Sequence, residues 1–401
     1  MGVWAVGPML KRTLFLATVV VAGCQEPKLA SAPDQPLDKR FQAELEALQA
    51  EFRIPGATAA YVLPDGSVGV AAAGLADVEA RAPMTTQSRM LAASIGKSVV
   101  GAEVLALAQD GRLGLDDPIS KWLSDRPWFT RLPNHASITI RHLLTHSAGI
   151  ADHVYEKSFH QAVAAKWRDP GNPFPPEALV EFVLDQKPLF KAGDGWAYTD
   201  TGYILLGLII EKAAGATFYE EAKRRFLAPL RLNLTEPSNR LELEMLAAGY
   251  TAPDNPMGLP GKTTVAPGVM AWNPAIEWTG GGFVSNPRDL ALWAKALYEG
   301  KAMAGNYREE LLRSVPVTGF FLSLITGGIR YGAGVGIYEK TPLGPTYGHG
   351  GGIPGYSSSM RYYAKHGFAV AFQVNTDIDP DSFGSDMESR LARVVAESLS
   401  Q

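Results

Sequence analysis

The S-x-x-K motif formed by Ser94 and Lys97 could supply a nucleophile and its base. A spacing of three residues places both side chains on one face of a helix. A serine hydroxyl is a weak nucleophile until a neighbouring base takes its proton. A lysine one turn away can do so if burial keeps part of it neutral. The motif by itself also arises by chance, with Ser94 as an ordinary helix N-cap.

A second motif, Tyr198-Thr199-Asp200, precedes an apolar helical stretch that begins at about Thr201. Tyr198 lies on the loop before that helix, where its hydroxyl could exchange a proton with a reacting group. A buried tyrosine more often makes a structural hydrogen bond. Asp200 is well placed to be the N-cap of the helix. Taken by itself, this motif allows both a catalytic and a structural interpretation.

A third motif, His349-Gly350-Gly351-Gly352, follows a short β-like stretch at Thr346–Gly348. Glycines on a strand edge let a substrate come close to the backbone. Their N–H groups can then point at a substrate oxygen. His349 could equally be a structural histidine whose hydrogen bonds are satisfied within the protein.

The same glycines also match the spacing of a dinucleotide-binding loop. Gly350, Gly352 and Gly355 fit G-x-G-x-x-G, and Asp377 follows about twenty residues later. That loop needs a strand before it and a helix after it. Here the following segment, 356–375, has the pattern of a β-hairpin. The sequence therefore argues against nucleotide binding, and we expect no cofactor.

The elements that must position these motifs are strands at both ends of the chain and helices between them. Turn signals predict hairpins at residues 57–73, around Pro-Asp-Gly, and at 357–375, around Lys-His-Gly. The segment 110–312 is mostly helical stretches and long loops. Helical periodicity covers three further segments: 38–52, 97–108 and 385–399. This arrangement predicts an α+β fold with an antiparallel sheet rather than alternating βαβ units.

Composition narrows the range of partners. The chain has 401 residues, of which 46% are apolar, enough for a large core. The formal net charge is −4 and no Lys/Arg tract is present, so nucleic acid is not an expected partner. No metal-ligand pattern stands out. His142 and His146 are four residues apart but lack accompanying acidic ligands, so we expect structural roles for both.

The N-terminus has the pattern of a bacterial lipoprotein signal. Lys11 and Arg12 precede an apolar run, Leu14 to Gly23, that is too short to span a bilayer. The run ends in Val-Ala-Gly-Cys, which resembles a lipobox, and in such signals the mature chain begins at the lipid-bearing cysteine. That residue is Cys24, the only cysteine in the sequence. The alternative is a plain secretory signal with a chance cysteine.

This pattern predicts the organisation and location of the chain. We expect a signal peptide over residues 1–23, lipidation of Cys24, a flexible tether over 24–37 and one domain over 38–401. The tether expectation rests on its content of Pro, Ala and polar residues. The mature protein is then an exported lipoprotein of the bacterial cell envelope, held at a membrane by its lipid.

Taken together, the three motifs occur in the order and rough spacing of a known family. The sequence resembles the serine β-lactamase and penicillin-binding-protein superfamily, in the branch of class C β-lactamases, D-alanyl-D-alanine carboxypeptidases and related esterases. The stretches LAQDGRLGLDDPISKWL, ITIRHLLTHSAGI and GGGFVSNPRDLALWAKAL are similar too. The resemblance runs from about Ile54 to the C-terminus. It implies a β-lactamase/transpeptidase-like fold, with a sheet lobe at 38–93 and 313–401 and a helical lobe at 94–312.

The resemblance also assigns roles to the motif residues. It implies that Ser94 is acylated, that Lys97 shuttles its proton, and that Tyr198 acts as base and then as acid to the leaving group. The oxyanion hole is implied to consist of the backbone N–H groups of Ser94 and Gly352.

Asp200 stands where the family usually has asparagine. A carboxylate near Lys97 favours the ammonium form of that lysine and weakens it as a base. We therefore expect Tyr198 to carry more of the base role in this protein.

His349 and Gly350 replace the lysine and threonine that bind the substrate carboxylate in β-lactamases of the family. A mostly neutral imidazole and a glycine give a carboxylate less attraction, and Asp200 adds negative charge. Gly351 and Gly352 complete the strand edge beside the substrate. Loops at about 250–278 and 315–329 are expected to shape the pocket.

The sequence therefore predicts an envelope-anchored serine hydrolase that cleaves an ester or amide through a Ser94 acyl-enzyme. Its partner would be a small-molecule or peptidoglycan-like acyl substrate. A D-alanyl-D-alanine carboxypeptidase, a weak class C-like β-lactamase and a non-catalytic penicillin-binding-like sensor are the alternatives.

Overall fold

The strands of the main sheet come from the two ends of the chain, and most of the helices lie between them. The computed structural model describes residues 35–317 and 328–400. Its strands, in chain order, are β1 Gly56–Val62, β2 Val68–Asp77, β3 Ala82–Pro83, β4 Met90–Leu91, β5 Glu236–Pro237, β6 Thr264–Ala266, β7 Val269–Met270, β8 Phe283–Ser285, β9 Val315–Pro316, β10 Ile329–Tyr331, β11 Gly336–Tyr338, β12 Thr346–Ile353, β13 Tyr356–Tyr363 and β14 Phe368–Val374.

The helices alternate with long loops in the middle of the chain. The α-helices are α1 Leu37–Glu51, α2 Lys97–Gln109, α3 Ser120–Leu123, α4 Ile140–Leu144, α5 Lys157–Lys166, α6 Pro176–Glu181, α7 Asp200–Ala214, α8 Phe218–Ala222, α9 Pro287–Tyr298, α10 Arg308–Leu312 and α11 Pro380–Ser398. The last of these begins five residues before its predicted start at 385. The expected signal peptide, Cys24 and most of the expected tether lie outside the described residues.

Both predicted hairpins form, and they meet at the centre of one sheet. Within residues 35–317 and 328–400, nine strands pair in the order β3-β2-β1-β14-β13-β12-β11-β10-β9, and every pair is antiparallel. Strands β1 and β14 join the hairpins, with Ala57 opposite Val374. The predicted α+β fold with an antiparallel sheet is confirmed.

Each face of the sheet is covered by helices. On one face α1 and α11 pack together, and Phe41, Leu45, Met387 and Leu391 are fully buried there. On the other face α9 contacts β1, β13 and β14. Helix α9 therefore packs on the sheet, although its residues fall in the segment predicted as the helical lobe.

Helix α7 organises the helical part of the molecule. It contacts α2, α4 and α6, and its residues from Thr201 to Ile210 are all buried. The helix ends at Gly215, whose left-handed conformation (φ 69°) suits a residue without a side chain. Its first residue, Asp200, is thereby held beside α2. In the described part of the chain, no single helix is long and apolar enough to cross a bilayer, although α7 and the segment Phe218–Leu227 pass that test together as a pair bent by 76°.

Candidate active site

Ser94 lies in a 3₁₀ turn, Ala93–Gly96, that continues directly into α2 at Lys97. Ala93 has a φ of 49°, a left-handed conformation that residues with side chains rarely adopt. A Cβ at Gly96 would lie 1.7 Å from the carbonyl oxygen of Gly281. Close backbone packing therefore fixes this turn and holds Ser94 half-buried at the start of the helix.

Lys97 is fully buried and links three parts of the site. Its Nζ lies 3.1 Å from Ser94 Oγ and 2.6 Å from Asp200 Oδ1, and it donates a hydrogen bond to the carbonyl oxygen of Gly280. Burial alone would lower the pKa of Lys97, but Asp200 and Tyr198 outweigh it and raise the pKa above its usual value. Ser94 Oγ is therefore paired with an ammonium group, as the Asp200 carboxylate led us to expect.

The Tyr198 side chain lies against Lys97, whose Nζ is 5.0 Å from the ring centroid. Burial raises the pKa of Tyr198, and the opposing effect of Lys97 is smaller. The hydroxyl makes no hydrogen bond of good geometry with the described residues, although Lys97 and Ser94 are its neighbours. At neutral pH the site therefore contains an ammonium and a neutral phenol.

Asp200 is the first residue of α7 and not its N-cap, so that prediction was wrong. The N-cap is Thr199, and no side chain caps the helix there. The carboxylate instead forms an ion pair with Lys97, whose buried ammonium would otherwise lack a counter-charge.

His146 supports Tyr198 from behind. It is fully buried, with its ring centroid 4.2 Å from that of Tyr198 and 4.6 Å from that of Tyr331. Its Nδ1 accepts a hydrogen bond of 3.2 Å from the N–H of Thr199, and burial lowers its pKa well below the usual range. His142 takes part in the capping box of α4. Both histidines have the structural contacts that we expected of them.

His349 uses both ring nitrogens within the protein. Nδ1 contacts the carbonyl oxygen of Gly350, which can only accept, so Nδ1 carries the proton. Nε2 then accepts a hydrogen bond of 2.7 Å from the hydroxyl of Tyr331. Burial lowers the pKa of His349 to about 3. His349 is therefore a neutral residue that gives a substrate carboxylate neither a charge nor a donor.

The three glycines after His349 serve different purposes. A Cβ at Gly351 would lie 2.3 Å from the carbonyl oxygen of Ala92, so this glycine lets β12 pack against the Ser94 turn. A Cβ at Gly350 would meet nothing closer than 3.8 Å, and one at Gly352 nothing within 4 Å. Only Gly350 and Gly352 therefore leave open space on this strand.

One edge of β12 is available beside Ser94. Its pairing with β11 ends at Gly348, whereas its pairing with β13 continues to Ile353. Within the described strands, the edge at 349–353 therefore lacks a neighbour on that side. Gly352, the expected second oxyanion donor, lies on this edge.

Replacing Gly351 by alanine is expected to push β12 away from the Ser94 turn. We predict a loss of about 1–3 kcal/mol in the free energy of unfolding, together with reduced activity, because the new Cβ overlaps backbone atoms. Thermal and urea unfolding measure the effect. Gly352→Ala is the matched control for stability, since its Cβ enters open space. Equal stability of the two variants would contradict the packing role of Gly351.

A cavity of about 110 Å³ opens beside the site. Its walls are mainly apolar and aromatic, from α5, the segment after it and the 250–278 loop: Phe159, Trp167, Phe174, Met257, Leu259 and Trp272. The lining also includes Asp200, Glu277 and Gly352. The first loop expected to shape the pocket therefore does so, whereas most of the second, residues 318–327, lies outside the described residues.

Two buried carboxyl groups near the site were not identified from the sequence. Burial, reinforced by Asp200, raises the pKa of both Asp152 and Glu277 to about 8. The glycine run that follows Glu277, Gly280 to Gly282, was the available signal, because a triple glycine predicts close backbone approach. Within residues 35–317 and 328–400, no group of three His, Cys, Asp or Glu residues is arranged to hold a metal ion.

A serine beside a buried lysine and a tyrosine, next to an open strand edge, is the arrangement of a serine hydrolase that uses lysine in place of histidine. The sequence profile of the Beta-lactamase family matches residues 41–393, and the chain belongs to that family.

Its relatives include penicillin-binding proteins and an esterase. The chain is 27% identical to penicillin-binding protein 4* of Bacillus subtilis (strain 168) over 319 residues, 77% of this chain and 65% of the relative. It is 31% identical to esterase EstB of Burkholderia gladioli over 210 residues, 49% of this chain and 50% of the relative. The chain thus spans less than two thirds of the length of these two proteins.

Solved structures share the fold. The D-stereospecific amidohydrolase from Streptomyces sp. superposes with a TM-score of 0.71 at 26% identity, covering 85% of this chain and 95% of that one. The predicted β-lactamase/transpeptidase-like fold is confirmed. The chain is thus a member of the Beta-lactamase family and is similar to penicillin-binding proteins, an esterase and an amidohydrolase.

Proposed function

We propose that the protein cleaves an ester or amide through an acyl-enzyme on Ser94. The observation that carries this proposal is the contact of 3.1 Å between Ser94 Oγ and the buried Nζ of Lys97, with Tyr198 beside both. These groups sit at the start of a helix, facing an open strand edge that can hold a substrate carbonyl.

The proposed reaction has two steps. Once the Lys97–Tyr198 pair has released a proton to solvent, Ser94 Oγ attacks the substrate carbonyl and its own proton moves to that pair. The oxyanion is held by the N–H groups of Ser94 and Gly352. Tyr198 returns the proton to the leaving alcohol or amine as the carbonyl re-forms. Water then attacks the acyl carbon with the same proton transfers, releasing the acid and regenerating the serine.

Replacing Asp200 by asparagine is expected to move the ascending limb of the pH–rate profile, along which activity rises with pH, to lower pH. In the native site Asp200 raises the pKa of both Lys97 and Tyr198, so a base forms only as pH rises. Removing the carboxylate lowers both pKa values and exposes a base at lower pH. The measurement is kcat/KM for a neutral ester between pH 6 and 10, and an unshifted limb would count against control by Asp200.

The pocket favours substrates that lack a carboxylate of the kind that β-lactams carry. His349 is neutral with both nitrogens engaged, and Gly350 provides no hydroxyl. Esterase EstB and the D-stereospecific amidohydrolase are similar proteins whose names also point to esters and amides. We therefore propose esters or amides first, D-alanyl-D-alanine peptides second and β-lactams third.

A substrate panel tests this order. Short esters, a D-alanyl-D-alanine peptide and a chromogenic cephalosporin are compared as kcat/KM for the same preparation. We expect the cephalosporin to be the poorest substrate of the three. Efficient hydrolysis of the cephalosporin would overturn the order, and acylation without turnover would favour the penicillin-binding-like sensor.

We also propose that the protein is an exported lipoprotein of the bacterial cell envelope, with a small-molecule or peptidoglycan-like acyl substrate. The support is the basic pair, the short apolar run and Cys24 at its end. Metabolic labelling with palmitate is expected to mark the wild type and not Cys24→Ser. Labelling of both proteins would contradict the anchor.

A further inference from the structure

One residue that lines the cavity has a carboxyl oxygen without a partner. Glu277 Oε2 is buried and makes no hydrogen bond with any described residue, and Glu277 lines the cavity. Asp200 also lines the cavity and reaches Lys97 through Oδ1. Leaving a buried polar atom unpaired is costly, so such atoms need an explanation, and a ligand that donates a hydrogen bond is one.

The charged residues that line the cavity indicate which charge the ligand should carry. Among the described residues, the cavity lining carries three carboxyl groups, on Asp169, Asp200 and Glu277, against one ammonium group, on Lys166. The Lys166 ammonium lies 4.4 Å from the ring centroid of Phe174, at the apolar wall. The cavity therefore presents mainly carboxyl groups to a ligand, and a cationic group with N–H donors matches them.

The position of the cavity indicates which part of a substrate it holds. It touches Asp200, Gly352, Ile353 and Pro354, whereas none of Ser94, Lys97 and Tyr198 lines it. Tyr198 is the proposed proton donor to the leaving group, so the leaving group lies on its side of the scissile bond. A substrate held at the Gly352 edge with its leaving group at Tyr198 would place its acyl group in the cavity.

We propose that this cavity binds an acyl group carrying an ammonium and an apolar side chain, as in an α-aminoacyl ester or amide, and that Glu277 binds the ammonium. The proposal rests on the proposed function, because an acyl side exists only if Ser94 is acylated. An apolar cavity of about 150 Å³ holds benzene. The cavity in this protein measures about 110 Å³ and is open to solvent, so it suits a side chain such as that of leucine or phenylalanine.

Binding of the cation changes the protonation of Glu277. Burial and Asp200 raise the pKa of Glu277 to about 8. An ammonium beside the carboxyl group opposes both effects, so the carboxyl releases its proton to solvent and forms a charge-assisted hydrogen bond.

A matched pair of substrates tests the proposal. Phenylalanine methyl ester, as each enantiomer, is compared with 3-phenylpropionic acid methyl ester, which differs only in lacking the amino group. The assay is run at about pH 6, below the α-amino pKa of about 7.7, so that the amino ester is charged. We expect kcat/KM to be at least about tenfold higher for one enantiomer of the amino ester than for the des-amino ester, a preference typical of one charged hydrogen bond.

Variants of Glu277 test whether this residue causes the preference for the amino ester. Glu277→Gln is expected to reduce the ratio between the two substrates by about 10- to 100-fold, mainly through KM of the amino ester. Glu277→Asp, which keeps the charge, should retain part of the ratio. Glu181→Gln removes an exposed carboxylate from α6 and should leave the ratio unchanged. A wild-type ratio near one, or a Glu277→Gln effect that is equal for both substrates, would overturn the proposal.

A separate readout distinguishes failure of this inference from failure of the proposed function. Each protein is first labelled with a fluorophosphonate, and the labelled residue is identified by mass spectrometry. Absence of a Ser94 label in the wild type would refute the proposed function itself. A Ser94 label with turnover of the des-amino ester but no ammonium preference would refute only the inference.

Discussion

Replacing Ser94 by alanine is expected to lower kcat for ester hydrolysis by at least about 10⁴-fold, the scale seen when a serine nucleophile is removed. The loss follows because the Ser94 hydroxyl that hydrogen-bonds to Lys97 Nζ is the proposed nucleophile. Stability should change little, since Ser94 is only half-buried and its hydroxyl is hydrogen-bonded to Lys97. Fluorophosphonate labelling, steady-state kinetics and a thermal melt measure the three expectations.

Ser98 provides a matched control one turn further along α2. Its hydroxyl donates to the carbonyl oxygen of Ile95 at 2.7 Å and accepts from Trp293 Nε1 at 2.8 Å. Ser98→Ala should therefore lower the free energy of unfolding by about 1–3 kcal/mol, because a buried indole N–H loses its partner. The variant should still be labelled at Ser94. Labelling of Ser94→Ala at wild-type level would refute the nucleophile assignment.

Replacing Tyr198 by phenylalanine is expected to lower kcat by about 10²- to 10⁴-fold, the contribution of a well-placed acid–base group. The fold should keep its stability, because the ring retains its packing on His146 while a buried hydroxyl without a well-formed hydrogen bond is removed. The expected result is thus a large kinetic loss without a structural one, measured by kinetics and thermal unfolding on the same samples.

Tyr203 is the control for this second prediction. Its ring centroid lies 5.4 Å from Lys97 Nζ, close to the distance for Tyr198, but its hydroxyl donates to the carbonyl oxygen of Leu144 at 2.8 Å. Tyr203→Phe should cost about 1 kcal/mol of stability and much less activity. If the two variants lost similar activity, the phenol of Tyr198 would be only one part of an aromatic support and not a proton carrier.

The ion pair of Lys97 and Asp200 determines how the activity is expected to depend on pH. Both pKa values in the Lys97–Tyr198 pair are raised, so the native site has no free base at neutral pH. Acylation then requires a proton to leave the pair as the substrate binds or as pH rises. We therefore expect the Asp200 carboxylate to set the pH at which the base forms.

The sequence was sufficient for features that depend on local spacing. Alternating strands around Pro-Asp-Gly and Lys-His-Gly predicted the two central hairpins, since a tight turn fixes its own pairing. The three-residue spacing of Ser94 and Lys97 predicted that their side chains share one helix face, and their polar atoms lie 3.1 Å apart. Three ordered motifs then indicated the family, which the profile over residues 41–393 confirms.

Features that depend on contacts between distant segments were missed or misjudged. Asp200 was expected to cap α7 but pairs with Lys97, 103 positions earlier in the chain. Gly351 was expected to border the substrate, yet it makes room for the backbone at Ala92. His349 was considered as a substrate ligand, and Tyr331 occupies its free nitrogen. Glu277 showed no motif at all, because its importance comes only from the cavity that it lines.

The difference between the features that the sequence predicted and those that it missed has one physical cause. Turns, helix faces and motif order are set by residues that are neighbours in sequence, where chain geometry leaves few alternatives. The groups that share a buried, weakly solvated space decide the charge on Lys97, the neutrality of His349 and the unpaired carboxyl oxygen of Glu277. Long-range packing of α2, α7 and β12 creates that space, so the sequence determined the class of chemistry and only the tertiary structure decided the charges that a substrate meets.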